Sequence, residues 1–270
     1  MSTLTVLAPV AAALLVYLPV VRNYFYADDF ILFYDLANEG PLAFVLTPYG
    51  GHLQVARNLV FLASVRLFGT EPAPYFWMVL LTHLVNVALL FHVVRLLTGR
   101  RALAATGALL FGASPLAEGA LGWYSIYGQV LAATVTLVLL ALWGRAAVEG
   151  RVPSPGVLAL SFALAVVGST CFGVGLGIAF ALPVVFAVVF PAASRRARLA
   201  IAGLWIAIPV FYVAMHALHR LVSSRPVPGA SPLAAFQHAA DVLALLVQLL
   251  IHGVGGLLLG FLAPPARHPA

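Results

Sequence analysis

Apolar runs follow one another along most of the chain, broken by short polar stretches. A helix needs about 20 apolar residues to cross a bilayer, and the pattern holds roughly eight such runs. They fall at residues 4–22, 75–97, 102–117, 125–144, 157–170, 174–190, 199–218 and about 240–263. The strict alternation of a membrane barrel is absent. The pattern predicts an all-α polytopic membrane protein built as a single module over residues 1–270. Its parts are a first span to residue 22, an outer segment over 23–74 and the remaining spans over 75–270. Pro9 and Pro19 are expected to bend the first span.

Residues 23–74 are too polar to cross and too apolar for a solvated loop. Phe30 to Asn38 reads as a short helix stopped by Gly40 and Pro41, and His52 to Phe68 reads as a second helix. On the second, Gln54, Arg57, Asn58 and Ser64 share one face at helical spacing, with Leu, Val and Phe around the rest. Both helices are expected to lie along the membrane interface, with that polar face away from hydrocarbon.

Composition agrees, with 63% hydrophobic residues and only 8% charged ones. A soluble exterior has no use for so much apolar side chain. The net charge of +6 is dispersed and segregated by side, which argues against nucleic acid. With the first run taken as in-to-out, the inner loops hold Arg95, Arg100, Arg101, Arg145, Arg151, Arg195, Arg196, Arg198 and Arg267. The outer side holds Asp28, Asp29, Asp35, Glu39, Glu71, Glu118 and Asp241, with Arg22 the main dissent. That is the positive-inside pattern, and it makes the aspartate pair extracytoplasmic. The first run lacks a basic n-region and a clear cleavage site, so it reads as a retained span. Cys171 is the only cysteine, so neither an internal disulfide nor a thiolate cluster is available. Abundant Arg, Ala and Gly without lysine hint at a GC-rich bacterial genome, hence a bacterial inner membrane.

Acids near lipid are costly and tend to be functional. Asp28 and Asp29 stand at a membrane–water boundary, where a carboxylate can act as general base toward a hydroxyl or help bind a divalent cation. Equally, one of them could cap the following helix. Glu118 is expected on the same aqueous side, where a lone glutamate is also often simply solvated. Arg57 suits a phosphate through its fork of donors, or a lipid headgroup. His52 could bind metal or substrate, or merely cap a helix. His83 and Asn86, one turn apart within a span, read as packing. The glycine clusters at 173–177 and 253–256 read as close helix contacts, since no strand precedes them and no phosphate-loop lysine follows.

The layout resembles the C-type glycosyltransferase superfamily (GT-C), polytopic enzymes that take sugars from polyprenyl-phosphate or related lipid donors. It is most similar to bacterial relatives of protein O-mannosyltransferases and aminoarabinose transferases. The residues that carry the resemblance are Tyr26-Ala27-Asp28-Asp29-Phe30, Gly51-His52-Leu53-Gln54-Val55-Ala56-Arg57 and Leu67-Phe68-Gly69-Thr70-Glu71-Pro72. His83, Asn86 and the Phe…Pro…Glu…Trp stretch from Phe111 to Trp123 follow. The likeness covers about residues 5–190 and rests on order and spacing. Where many eukaryotic relatives have a Lys-Glu pair near Ser169, this chain has Cys171-Phe172, and it is shorter than such enzymes usually are.

The resemblance implies sugar transfer from a lipid-phosphate donor at the extracytoplasmic face. Asp28 would be the base, Asp29 and Glu118 would orient the acceptor or a cation, and Arg57 or Arg225 would neutralise the leaving phosphate. His52, Tyr127 and Gln129 complete the substrate-binding candidates. Membrane lipids and the lipid-linked donor are the expected partners, and a partner membrane protein could supply what the short chain lacks. Two rivals stay open: a transporter or flippase for a lipid-linked substrate, and a non-catalytic scaffold or partner subunit.

Overall fold

The computed structural model describes residues 4–49 and 52–223. It is mostly helical, with one two-stranded ribbon among the described residues. Three helical stretches are long and apolar enough to cross a membrane, at 72–98, 124–148 and 195–222. Shorter apolar helices lie at 6–22, 101–112, 155–169 and 173–189. The chain is therefore a helical membrane protein. The expected span at 240–263, the glycine cluster at 253–256, Arg225, Asp241 and Arg267 lie outside the described residues.

Helix α1 (Leu4–Tyr17) tightens into a 3-10 turn over Leu18–Arg22, with Pro19 at its start. Helix α2 (Asp28–Asn38) opens at Asp28, two residues earlier than the pattern predicted, so both aspartates sit in its first turn. Negative side chains suit the positive end of a helix. Two elements escaped the sequence reading. Helix α3 (Pro41–Leu46) starts on Pro41, and strands β1 (Pro48–Tyr49) and β2 (His52–Leu53) pair antiparallel, Tyr49 opposite His52. His52 is thus on a strand, and the next helix, α4 (Val55–Phe68), begins only at Val55.

α4 corrects the sequence reading a second time. Gln54, Arg57, Asn58 and Ser64 do share one side, but they are buried, while Leu59 and Leu67 are exposed. The polar stripe points into the protein and the leucines point out. This orientation withdraws the polar side chains from an apolar boundary, and two of them find partners inside. Asn58 Nδ2 donates to the Phe44, Val45 and Thr47 carbonyls at 3.1, 3.3 and 3.3 Å, closing the end of α3. Ser64 donates to the Val60 carbonyl at 2.8 Å.

Helix α5 (Pro72–Thr98) is the longest, at 27 residues and about 40 Å. It ends at Gly99, whose left-handed backbone (φ 68°) suits a residue without a Cβ. Helix α6 (Arg101–Gly112) has 12 residues where a span over 102–117 was expected, so it reaches only about 18 Å. Ser114-Pro115 stops it, because proline holds the residue before it in extended geometry. An irregular stretch with the short helix α7 (Glu118–Gly122) leads into helix α8 (Tyr127–Val148). Helices α9 (Pro155–Ser169) and α10 (Gly173–Val189) form a tight hairpin. The short, arginine-rich α11 (Arg195–Ala202) passes at Gly203 into α12 (Leu204–Val222), which continues past the predicted end at 218.

α5 packs between α6 and α8, with α1 against α5 and α6. His83 and Asn86 act here as the sequence suggested, in packing. His83 Nε2 lies 3.0 Å from the Gly112 carbonyl, and Asn86 bonds the Val130 carbonyl at 2.9 Å and the Thr134 hydroxyl at 2.7 Å. A second core, with Trp143, Phe186 and Phe190, joins α8 to α12. The short hairpin turns send successive helices in opposite directions. One end of the bundle therefore carries the starts of α2, α4, α8 and α10, and the other carries the ends of α5 and α8 and the starts of α6, α9 and α11.

Candidate functional site

Four segments distant in sequence meet around Arg57. The residue is 1% exposed, and its Nε, Nη1 and Nη2 all lie buried with no acceptor among the described residues. The Tyr49 ring, carried in by β1, lies under it with 5.8 Å from ring centre to Cζ. The start of α8 closes one side: a Cβ on Gly128 would press on the Arg57 stem and strike the Cys171 carbonyl oxygen. The charges of Asp28 and Asp29 and the hydroxyls of Tyr49 and Tyr124 act on the cation. Among the described residues no carboxylate bonds to the Arg57 guanidinium.

Burial lowers the Arg57 pKa to about 10, outweighing its anionic surroundings. It therefore stays a cation at neutral pH, poorly solvated and lacking acceptors. A buried charge in that condition raises the free energy of the empty fold and binds an entering anion strongly. Gln54 Oε1, one turn earlier, is also buried with no partner among the described residues.

The two aspartates have separate environments. Asp29 is fully buried; its Oδ1 accepts the Ser125 N–H at 2.6 Å and its Oδ2 accepts the Tyr26 N–H at 2.9 Å. Burial raises its pKa despite those donors. Its carboxylate thus ties the turn before α8 to the turn before α2. The backbone bends for this at Ala27, whose φ of 45° is unusual for a residue with a Cβ. Asp28 is half-buried and faces the Tyr49 hydroxyl. Burial first, then the Asp28 hydrogen bond and charge, push the Tyr49 pKa up to about 12. Asp35, two turns along α2, also acts on Tyr49.

The remaining sequence candidates are scattered. Glu118 is exposed at the start of α7, where its charge acts on the Tyr17 hydroxyl. Its segment nevertheless packs against the aspartate loop: Asn23 Nδ2 donates to the Gly122 carbonyl at 3.3 Å, and Trp123 meets Tyr26 edge-on. Tyr127 points into the α5–α8 contact, its hydroxyl 2.7 Å from that of Thr82. Gln129 lines a mainly apolar cavity of about 480 Å³ with His83, Phe111 and Leu121. His52 lays its ring on the backbone of Gly173. Among the described residues no three of His, Cys, Asp and Glu gather as ligands for a metal.

Tyr49, Ser125 and Thr170 were missed by sequence reasoning. The Thr170 hydroxyl accepts the Ala56 N–H at 3.3 Å and so holds the start of α4. Tyr49 had a readable signal, because Gly50-Gly51 between two short apolar stretches is a hairpin pattern. Ser125 and Thr170 act through backbone geometry and left none. No family model, curated protein or solved structure matches the chain.

Proposed function

We propose that this chain is a GT-C-like membrane glycosyltransferase that moves a sugar from a polyprenyl-phosphate-type donor to an acceptor hydroxyl at the extracytoplasmic face. The observation that carries the reading is Arg57: a buried cation with no acceptor among the described residues, under the charge of a half-buried aspartate. In this reading the helical stretches from α1 to α12, with the further run at 240–263, make about eight spans. The arginine-rich end lies inside and the Arg57 end outside.

The chemistry divides among the residues accordingly. The acceptor oxygen attacks the anomeric carbon while Asp28 takes its proton. The bond from that carbon to the phosphate oxygen breaks, and the lipid phosphate leaves with the added negative charge beside Arg57. Asp29, occupied by two backbone N–H groups, holds the turn that frames the site. Tyr49 bridges base and cation, its hydroxyl toward Asp28 and its ring under Arg57.

The test is transfer of labelled sugar from polyprenyl phosphate in membranes expressing the chain. Asp28→Asn keeps the size of the side chain and its capping ability but cannot accept a proton. It should lower transfer by about 10²–10⁴-fold at unchanged expression. Full activity in that variant would remove Asp28 as base. No transfer by the unmodified chain, with membrane partners supplied, would favour the partner-subunit reading.

A further inference from the structure

At the end of the bundle opposite Arg57, a cavity of about 710 Å³ opens between α9 and α11. Pro155 and Phe162 form one wall, Ala197 and Ala200 the other, and Ser194 and Arg196 supply its polar lining. Ligand sites commonly measure about 300–1,000 Å³.

Charge decides what this space suits. Arg195 and Arg196 are exposed and have no acid partner among the described residues, while Arg198 is drawn to the Pro191 carbonyl. The one described carboxylate near this end, Glu149, is already bonded to Arg145 and Arg151. Arg95, Arg100 and Arg101 add positive charge at the same end. The chamber is thus mostly apolar, with an uncompensated guanidinium in its lining, on a short helix whose first turn is basic. We propose that it binds an anionic phospholipid, phosphate at Arg196 and one acyl chain along Phe162 and Ala200. A zwitterionic lipid offers the same chain but carries its own cation, which the arginines repel. The inference rests on the membrane-spanning reading alone, so a failure of sugar transfer leaves it standing.

Native mass spectrometry of the purified full chain, offered phosphatidylglycerol and phosphatidylcholine in equal amounts, tests it. Each basic residue near an anionic headgroup contributes about fivefold in affinity, so phosphatidylglycerol should be retained at least about fivefold over phosphatidylcholine. Arg196→Gln should remove most of that preference, and Arg101→Gln, outside the cavity, should leave it. Ala159→Phe, which puts a ring into the chamber from an exposed position on α9, should lower retention of both lipids. Equal retention of the two lipids would overturn the proposal, as would equal effects of Arg196→Gln and Arg101→Gln. Displacement by millimolar inorganic phosphate would also overturn it, in favour of a free-anion site.

Discussion

Replacing Arg57 by methionine should make the empty protein more stable and unable to hold the donor phosphate. Methionine keeps an unbranched stem of similar length and removes the charge. A guanidinium held at about 10 instead of 12.5 reflects about 3 kcal/mol against the charged form. Against this stands the Tyr49 ring at 5.8 Å, worth about 1–2 kcal/mol when shielded from water. The attraction of Asp28 and Asp29, which make no direct bond, is already contained in that shift. The balance leaves a gain of about 1–2 kcal/mol for Arg57→Met, within the range seen when buried charges give way to apolar groups. That corresponds to roughly 2–8 °C in Tm for a chain of this size.

The assay is thermal unfolding in detergent without ligand, followed by tryptophan fluorescence, beside lipid-phosphate binding or transfer. Transfer should fall by about 10²–10³-fold, the usual loss when a donor to a developing negative charge is removed. The pH dependence has a definite sign. The folded protein binds the Arg57 proton less tightly than the unfolded chain, so the penalty is complete below about pH 10 and is relieved above it. The advantage of the variant should therefore be constant from pH 6 to 9. A variant that loses about 2 kcal/mol or more would refute the reasoning, because its guanidinium would then be bonded within the fold.

Asp29→Asn should cost about 1–3 kcal/mol, since an amide cannot accept from both the Tyr26 and Ser125 N–H groups; a melting temperature equal to that of the parent would count against the tie. Because burial raises the Asp29 pKa above 3.8, its contribution is greatest below that pH and is lost as pH rises through the folded value. That slope should vanish from melting curves of the Asn variant. Ala27→Gly relieves a positive φ and should stabilise by about 1 kcal/mol, read in the same melts. Phe30→Cys on a Cys171→Ser background should label from the outer face, because Phe30 is exposed on α2; labelling from inside only would reverse the topology. The parent Cys171 should label poorly, being buried with its thiol pushed up to about 11.

Much of this fold was readable in advance. Apolar run length gave the helices, and 3.6-residue spacing grouped Gln54, Arg57, Asn58 and Ser64 correctly. Spacing cannot say which way a face points: a polar stripe turned from hydrocarbon can face water or the protein interior, and here it faces the interior. The different surroundings of Asp28 and Asp29 were illegible for another reason. What separates them is the N–H of Ser125, 96 residues away, and a backbone donor has no residue-type signature. The stop at Ser114-Pro115 was legible in principle, but hydropathy alone carried the sixth helix five residues too far.

The grip of the α9–α10 turn on α4 also bears on how the protein is made. Ala56 and Thr170, which join across it, are 114 residues apart, so a ribosome synthesises all of α5 and α8 between them. Until that turn has been made, Gly128 lacks the Cys171 carbonyl against it and the start of α4 lacks the Thr170 hydroxyl that holds it. The surroundings of Arg57 are therefore completed late in synthesis, once the α9–α10 turn meets both α4 and α8.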